Sequence, residues 1–114
     1  MRKTRAYRSR DDRTLAEPCF VAAGFGDRVL GLMGERGLAQ GSGLWIAPCN
    51  SIHTFFMRFA IDAVYLDRDG KVLVVRRNVK PWRVDWPVFR AHSVLEIPGG
   101  AAGDLKEGEI VCIN

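Results

Sequence analysis

Two β-branched, apolar-rich runs flank a single Asp69-Gly70 pair, and this arrangement constrains the fold more than any other feature of the chain. Ile61 to Asp67 and Lys71 to Val79 read as strands, and Asp-Gly readily takes the positive φ angles of tight hairpin turns. The sequence therefore predicts an antiparallel hairpin over residues 61–79.

Other strand signals surround it. Residues 14–23 are strand-like, with Pro18 suited to an edge or a strand start. Leu44 to Ala47 form a short strand stopped by Pro48, Ser93 to Pro98 another, and Ile110 to Ile113 a last one. Asp27 can cap a short helix from Arg28 to about Arg36, where Val29, Leu32 and Met33 recur at helical spacing. Gly31 and Gly34 weaken that helix by up to about 1 kcal/mol each. Two prolines exclude regular structure from residues 80–90, and residues 99–108 read as a Gly-rich loop with one helical turn at Ala101 to Lys106. The expected fold is mainly β: a small closed or half-closed antiparallel barrel or sandwich of five to eight short strands, with one or two short helices.

Charge divides the chain unevenly. Arg2, Lys3, Arg5, Arg8, Arg10 and Arg13, set against Asp11 and Asp12, account for the whole net charge of +4. Residues 14–114 are neutral. The reading is a disordered basic tail over 1–13 and a single compact β domain over 14–114, as expected of a 114-residue chain. No uninterrupted apolar segment follows the basic start, and no run approaches a membrane span, so a cytoplasmic location is expected. Cys19, Cys49 and Cys112 have no framework spacing and are expected as reduced thiols.

The stretch from Cys49 to Asp62 (CNSIHTFFMRFAID) gathers polar groups among three phenylalanines. Polar groups buried unpaired are costly, so such groups are usually held for a reason. Cys49, His53 and Asp62 supply the types of a nucleophile–base–orienter system, but nothing marks the thiol as exposed or activated. Cys49 and His53 lack the further ligands of a zinc site, and neither a metal nor a cofactor is expected. Asp62 shares a strand face with Val64 and Leu66 and must be paired, with Arg58, with Arg83 or with loop N–H groups. Residues 80–90 interleave Lys80, Arg83 and Arg90 with Trp82, Trp86 and Phe89. These are ingredients of a single-strand nucleic-acid site, yet the neutral body disfavours that partner.

Several motifs together form one ordered set: Gly31-Leu32-Met33, Gly43-Leu44 leading to Pro48-Cys49, Ile52-His53-Thr54-Phe55 with Met57, Arg58 and Asp62, Pro81-Trp82-Arg83, and Val94-Leu95-Glu96-Ile97-Pro98 with Gly100. In these the chain resembles the bacterial and archaeal family known as domain of unknown function 192, over roughly residues 15–114. The resemblance implies a compact, mainly β domain with a short helix near Gly31-Leu32-Met33, and it implies no activity. The chain departs from the family pattern at Ala60, where proline is common, and at Glu109, where aspartate is usual.

The functional reading is a binding protein for a small molecule, with no catalytic set. Its ligand cleft is expected between residues 49–62 and 80–90, with Phe56, Met57 and Trp82 as apolar wall and His53, Arg58, Asp62 and Arg83 as polar groups. One alternative is a protein-interaction module anchored by exposed aromatics. The other is a hydrolase-type enzyme using Asp62 and His53. An enclosed cleft, a flat aromatic patch or an Asp62–His53 hydrogen bond would distinguish the three.

Overall fold

The computed structural model describes residues 2–22, 41–52, 54 and 59–114. The expected helix over 28–36, and His53 and Phe55 to Arg58, lie outside the described residues. Seven strands form one curled, half-barrel sheet: β1 Arg2–Arg8, β2 Arg13–Ala22, β3 Gly43–Ile46, β4 Ile61–Leu66, β5 Val72–Val79, β6 Ser93–Pro98 and β7 Val111–Ile113. Their order across the sheet is β5-β4-β6-β3-β2-β1-β7.

The β4–β5 hairpin forms where the sequence places it, with Val64 opposite Val75 and Tyr65 opposite Val74. Asp67 builds the turn. Its Oδ1 accepts from the N–H groups of Asp69 (2.8 Å) and Lys71 (2.9 Å), and Gly70 takes φ +85°. These amides, Lys71 foremost, hold the Asp67 carboxyl below its ordinary value.

Gly70 also closes the sheet on itself. Its carbonyl accepts from Val111 N at 2.9 Å, Val72 N donates to Glu109 O at 2.8 Å, and Lys71 bridges Ile110. The outer edges of β5 and β7 thus meet at one corner. A Cβ on Gly70 would run into the Val111 carbonyl, and φ there is positive, so two separate constraints select glycine.

Three sequence expectations are corrected. Residues 2–8, read as part of a disordered tail, form a strand paired on both sides, with β2 and with β7, and Ala6 is fully buried. Their charges have partners both near and remote in sequence: Arg8 is 4% exposed, grips the nearby Asp11 with Nε and Nη2, and donates from Nη1 to the remote Asp104 at 2.6 Å. Arg10 reaches Glu109 at 2.6 Å. Composition counts such charges but cannot show that acids some ninety residues away will meet them. Second, β2 and β3 pair in parallel, because residues 23–42 between them are long enough for a crossover. Third, residues 99–104 and 107–108 are turns rather than helix, closed by bonds such as Ala101 N to Pro98 O and Leu105 N to Ala102 O.

Pro18 lies in the body of β2, where Glu17 and Pro18 are both exposed and the register against β1 shifts between Thr4 and Ala6. A bulge is a place where a strand residue without an N–H does no harm.

Strands β4 and β6 are buried on both faces. Inside the curl, Val64, Leu66, Leu95 and Ile97 pack with Ala6, Leu15, Cys19, Val72, Leu105 and Val111. On the outer face, Ile61, Ala63, Tyr65 and Val94 pack with Leu44, Ile46 and Ile52, and with Cys49, Phe59, Val88 and Ala91 from two loops. Each fully buried large aliphatic contributes about 1.5–3 kcal/mol, so the loops are held by the same force as the sheet.

Candidate functional site

The two segments singled out by sequence do come together. Residues 49–52 and Thr54 run alongside residues 80–92 as a strap over the outer face, zipped by bonds in both directions. Trp82 N donates to Thr54 O (2.9 Å), Thr54 N to Arg83 O (2.8 Å), Asp85 N to Ile52 O (3.0 Å), Val88 N to Asn50 O (2.8 Å) and Cys49 N to His92 O (2.9 Å). Thr54 is fully buried at the centre, its hydroxyl donating to Lys80 O at 2.6 Å and accepting from Arg83 N at 2.8 Å. Pro81 and Pro87 keep this stretch out of a regular ladder, so side-chain acceptors complete it.

Asp85 fastens the strap to the sheet. Its carboxylate accepts from Tyr65 Oη at 2.6 Å, from Arg76 Nε at 3.2 Å and from Trp86 N at 3.0 Å. Burial first, and the bond to Asp85 next, push the Tyr65 hydroxyl far above its ordinary value. Tyr65 is therefore a fixed donor rather than an acid.

Asp62 is fully buried, and its oxygens are occupied by backbone amides: Asn78 N on Oδ1 at 2.9 Å, Gly100 N and Ala102 N on Oδ2 at 3.0 Å each. Of the partners the sequence offers, loop N–H groups are those seen among the described residues, and they belong to residues 78, 100 and 102, while Arg58 lies outside the described residues. No ion pair joins Asp62 to Arg83. The Asp62 carboxylate holds the end of β5, where Asn78 takes φ +53°, to the turn after β6. Trp82 and Arg83 are exposed on the strap.

Sequence reasoning passed over Glu96. It sits in mid-β6, opposite Leu44 of β3 and Ala63 of β4, on the face shared with Val94. It is fully buried, neither carboxyl oxygen has a hydrogen-bond partner among the described residues, and burial pushes the group up to about 8. The readable signal was a carboxylate within the apolar strand Val94 to Pro98.

Two concavities adjoin at the end of the strap. An apolar slot of about 280 Å³ lies between Trp45, Leu66, the 67–70 turn and Ile110 to Ile113. A polar hollow of about 400 Å³ is lined by Pro48, Cys49, Asn50, Ser51 and Ala91. Arg68 and His92 border both. Among the described residues, Arg68 has no ion-pair partner and the buried indole N–H of Trp45 has no acceptor. The Cys49 thiol donates to Ser51 O at 3.0 Å. All three cysteines are free thiols, and burial pushes that of Cys19 up to about 12. Among the described residues, no group of three His, Cys, Asp or Glu side chains converges as metal ligands, and no helix is long and apolar enough to cross a membrane.

A small, curled β sheet with a loop strap across one face defines the class of protein. Residues 8–113 match the model of the family DUF192, described as uncharacterized ACR, and the chain belongs to that family. It is 35% identical to UPF0127 protein PH1112 of Pyrococcus horikoshii, over 75% of this chain and 76% of that protein. A crystal structure of a protein of unknown function from Novosphingobium aromaticivorans superposes with a TM-score of 0.78 at 19% identity, covering 96% of this chain and 83% of that one. A second crystal structure, of a candidate transcription regulator from Sinorhizobium meliloti, gives 0.77 at 18% identity, covering 97% and 92%. At these identities the likeness shows the fold alone.

Proposed function

We propose that the protein binds a small molecule that carries an anionic group on an apolar body. The observation that supports this reading is the sharing of Arg68 and His92 by the polar hollow and the apolar slot. Ligand sites are commonly concave, mostly apolar and furnished with a few convergent polar groups. In this arrangement the guanidinium of Arg68 and the imidazole of His92 meet the anion, with Asn50 and Ser51 beside them. The apolar body lies along Trp45, Leu66 and Ile110. The reading keeps the cleft partly on the 49–62 segment but centres it on Arg68 and His92, at one end of the strap.

The test is a thermal-shift screen of aliphatic and aromatic carboxylates and phosphate monoesters. A ligand at 100 times its Kd stabilises the folded state by about 2.7 kcal/mol, a shift of many degrees for a domain of this size. The expected result is a shift by at least one amphiphilic anion, abolished in Arg68→Glu and reduced in His92→Ala. A shift unaffected by Arg68→Glu, or no shift from any compound at millimolar concentration, would falsify the reading.

A further inference from the structure

The outward side of the 80–90 strap is aromatic and cationic, and none of its residues lines the ligand cleft. Trp86 is 81% exposed, Phe89 83% and Val84 67%. Lys80, Arg83 and Arg90 are exposed among them, with no ion-pair partner among the described residues. The strap's one carboxylate, Asp85, is turned inward to Tyr65 and Arg76. Part of its backbone is turned inward too. The N–H groups of residues 82, 83, 85 and 88 and the carbonyls of Lys80, Arg83 and Asp85 are bonded to Asn50, Ser51, Ile52 and Thr54. What faces outward is rings and positive charge on a rigid backing.

We propose that this surface docks on an anionic lipid bilayer, with Trp86 and Phe89 at the headgroup level and Lys80, Arg83 and Arg90 on anionic headgroups. Indole rings favour the membrane–water interface, where an apolar body and a polar edge are both accommodated. Basic side chains at an anionic surface add attraction that falls off within a Debye length. The inward backbone favours lipid over a folded protein partner. A protein interface normally carries about one direct hydrogen bond per 100–200 Å². The exposed charged side chains here, Lys80, Arg83 and Arg90, are donors only and no carboxylate stands among them, a one-sided set that suits the acceptor oxygens of anionic headgroups. A rigid strap also loses little conformational entropy on docking.

Co-sedimentation of the full-length protein with vesicles of phosphatidylcholine and phosphatidylglycerol (7:3), and with phosphatidylcholine alone, tests the proposal. Binding is expected to the anionic vesicles, with a blue-shifted tryptophan emission quenched by brominated lipid. Arg83→Ala with Arg90→Ala should weaken partitioning roughly 30-fold, from about fivefold per basic residue at an anionic surface. Trp86→Ala with Phe89→Ala, at positions exposed enough to leave the melting temperature unchanged, should weaken it at least tenfold. No sedimentation at millimolar lipid overturns the proposal. So does binding that both double variants retain. Concentration-dependent self-association through the aromatic patch, or capture of a labelled 20-nucleotide single strand in place of vesicles, overturns it in favour of a protein or nucleic-acid surface.

Discussion

Tyr65 Oη donates to Asp85 Oδ2 at 2.6 Å, so the middle of β4 and the middle of the strap are joined by a charge-assisted bond. Bonds of this kind are short and roughly twice as strong as neutral ones. Tyr65 is fully buried and the Asp85 side chain only 12% exposed, so the interaction is well shielded from water.

Tyr65→Phe removes the donor and keeps the ring. The expected loss is about 1.5–3 kcal/mol, the range for hydrogen bonds to charged groups. The strap should loosen locally: hydrogen exchange should quicken at the amides of Asp85 and Val88 before it changes at β4 and β6. Uniform acceleration across the sheet would show that the bond supports the whole fold rather than the strap.

Asp62→Ala strips an acceptor from three backbone amides at once. At about 1–3 kcal/mol for each buried donor left unsatisfied, and with partial relaxation, the loss should be about 3–5 kcal/mol. Asp62→Asn should cost less, because its carbonyl can face Gly100 and Ala102 while its amide group turns toward Asn78 N and forfeits that bond. Urea melts of the two variants rank the effects. Equal losses would mean that charge, rather than the number of acceptors, holds the site together.

Glu96 should make stability fall as pH rises. Burial raises its folded-state value from an ordinary 4.5 to about 8. Below about pH 4.5 both folded and unfolded chains hold the proton and the group makes no difference. Between about 4.5 and 8 the unfolded chain releases it while the folded one retains it, so stability drops with each pH unit. Above about 8 both states are ionised and the full cost, several kcal/mol, is present. Glu96→Gln should flatten this slope and melt higher than the parent at pH 8.5. The lowered carboxyls of Asp67, Asp104 and Glu109 act in the opposite sense, at acid pH, so the two windows separate. Parallel stability profiles for parent and variant from pH 5 to 9 would contradict the assignment of the slope to Glu96.

Much of the fold was legible because it rests on local chemistry. Asp69-Gly70 between two β-branched runs specifies a hairpin whatever surrounds it, and β2, β3, β6 and β7 fall on their apolar runs within a residue or two. The family could be read as well, since its motifs are sequence patterns. β1 could not be read. It carries almost no apolar signal, and what holds it is pairing with β2 and β7 together with acids at positions 11, 12 and 104. The parallel β2–β3 pair likewise depends on where a twenty-residue crossover delivers the chain.

The candidate site divides along the same line. That residues 49–62 and 80–90 share one face was readable from their composition, and the structure brings 49–52 and Thr54 alongside 80–92. Which way their groups face was not. Burial is a property of the assembled sheet, and only it decides that Asp62 meets amides of residues 78, 100 and 102, that Glu96 meets no partner among the described residues, and that Arg68 and His92 border two adjoining hollows. Sequence fixes which groups a strand carries and on which alternate face. Tertiary structure fixes what stands opposite them, because each of those partners comes from a segment whose position the local chain does not encode.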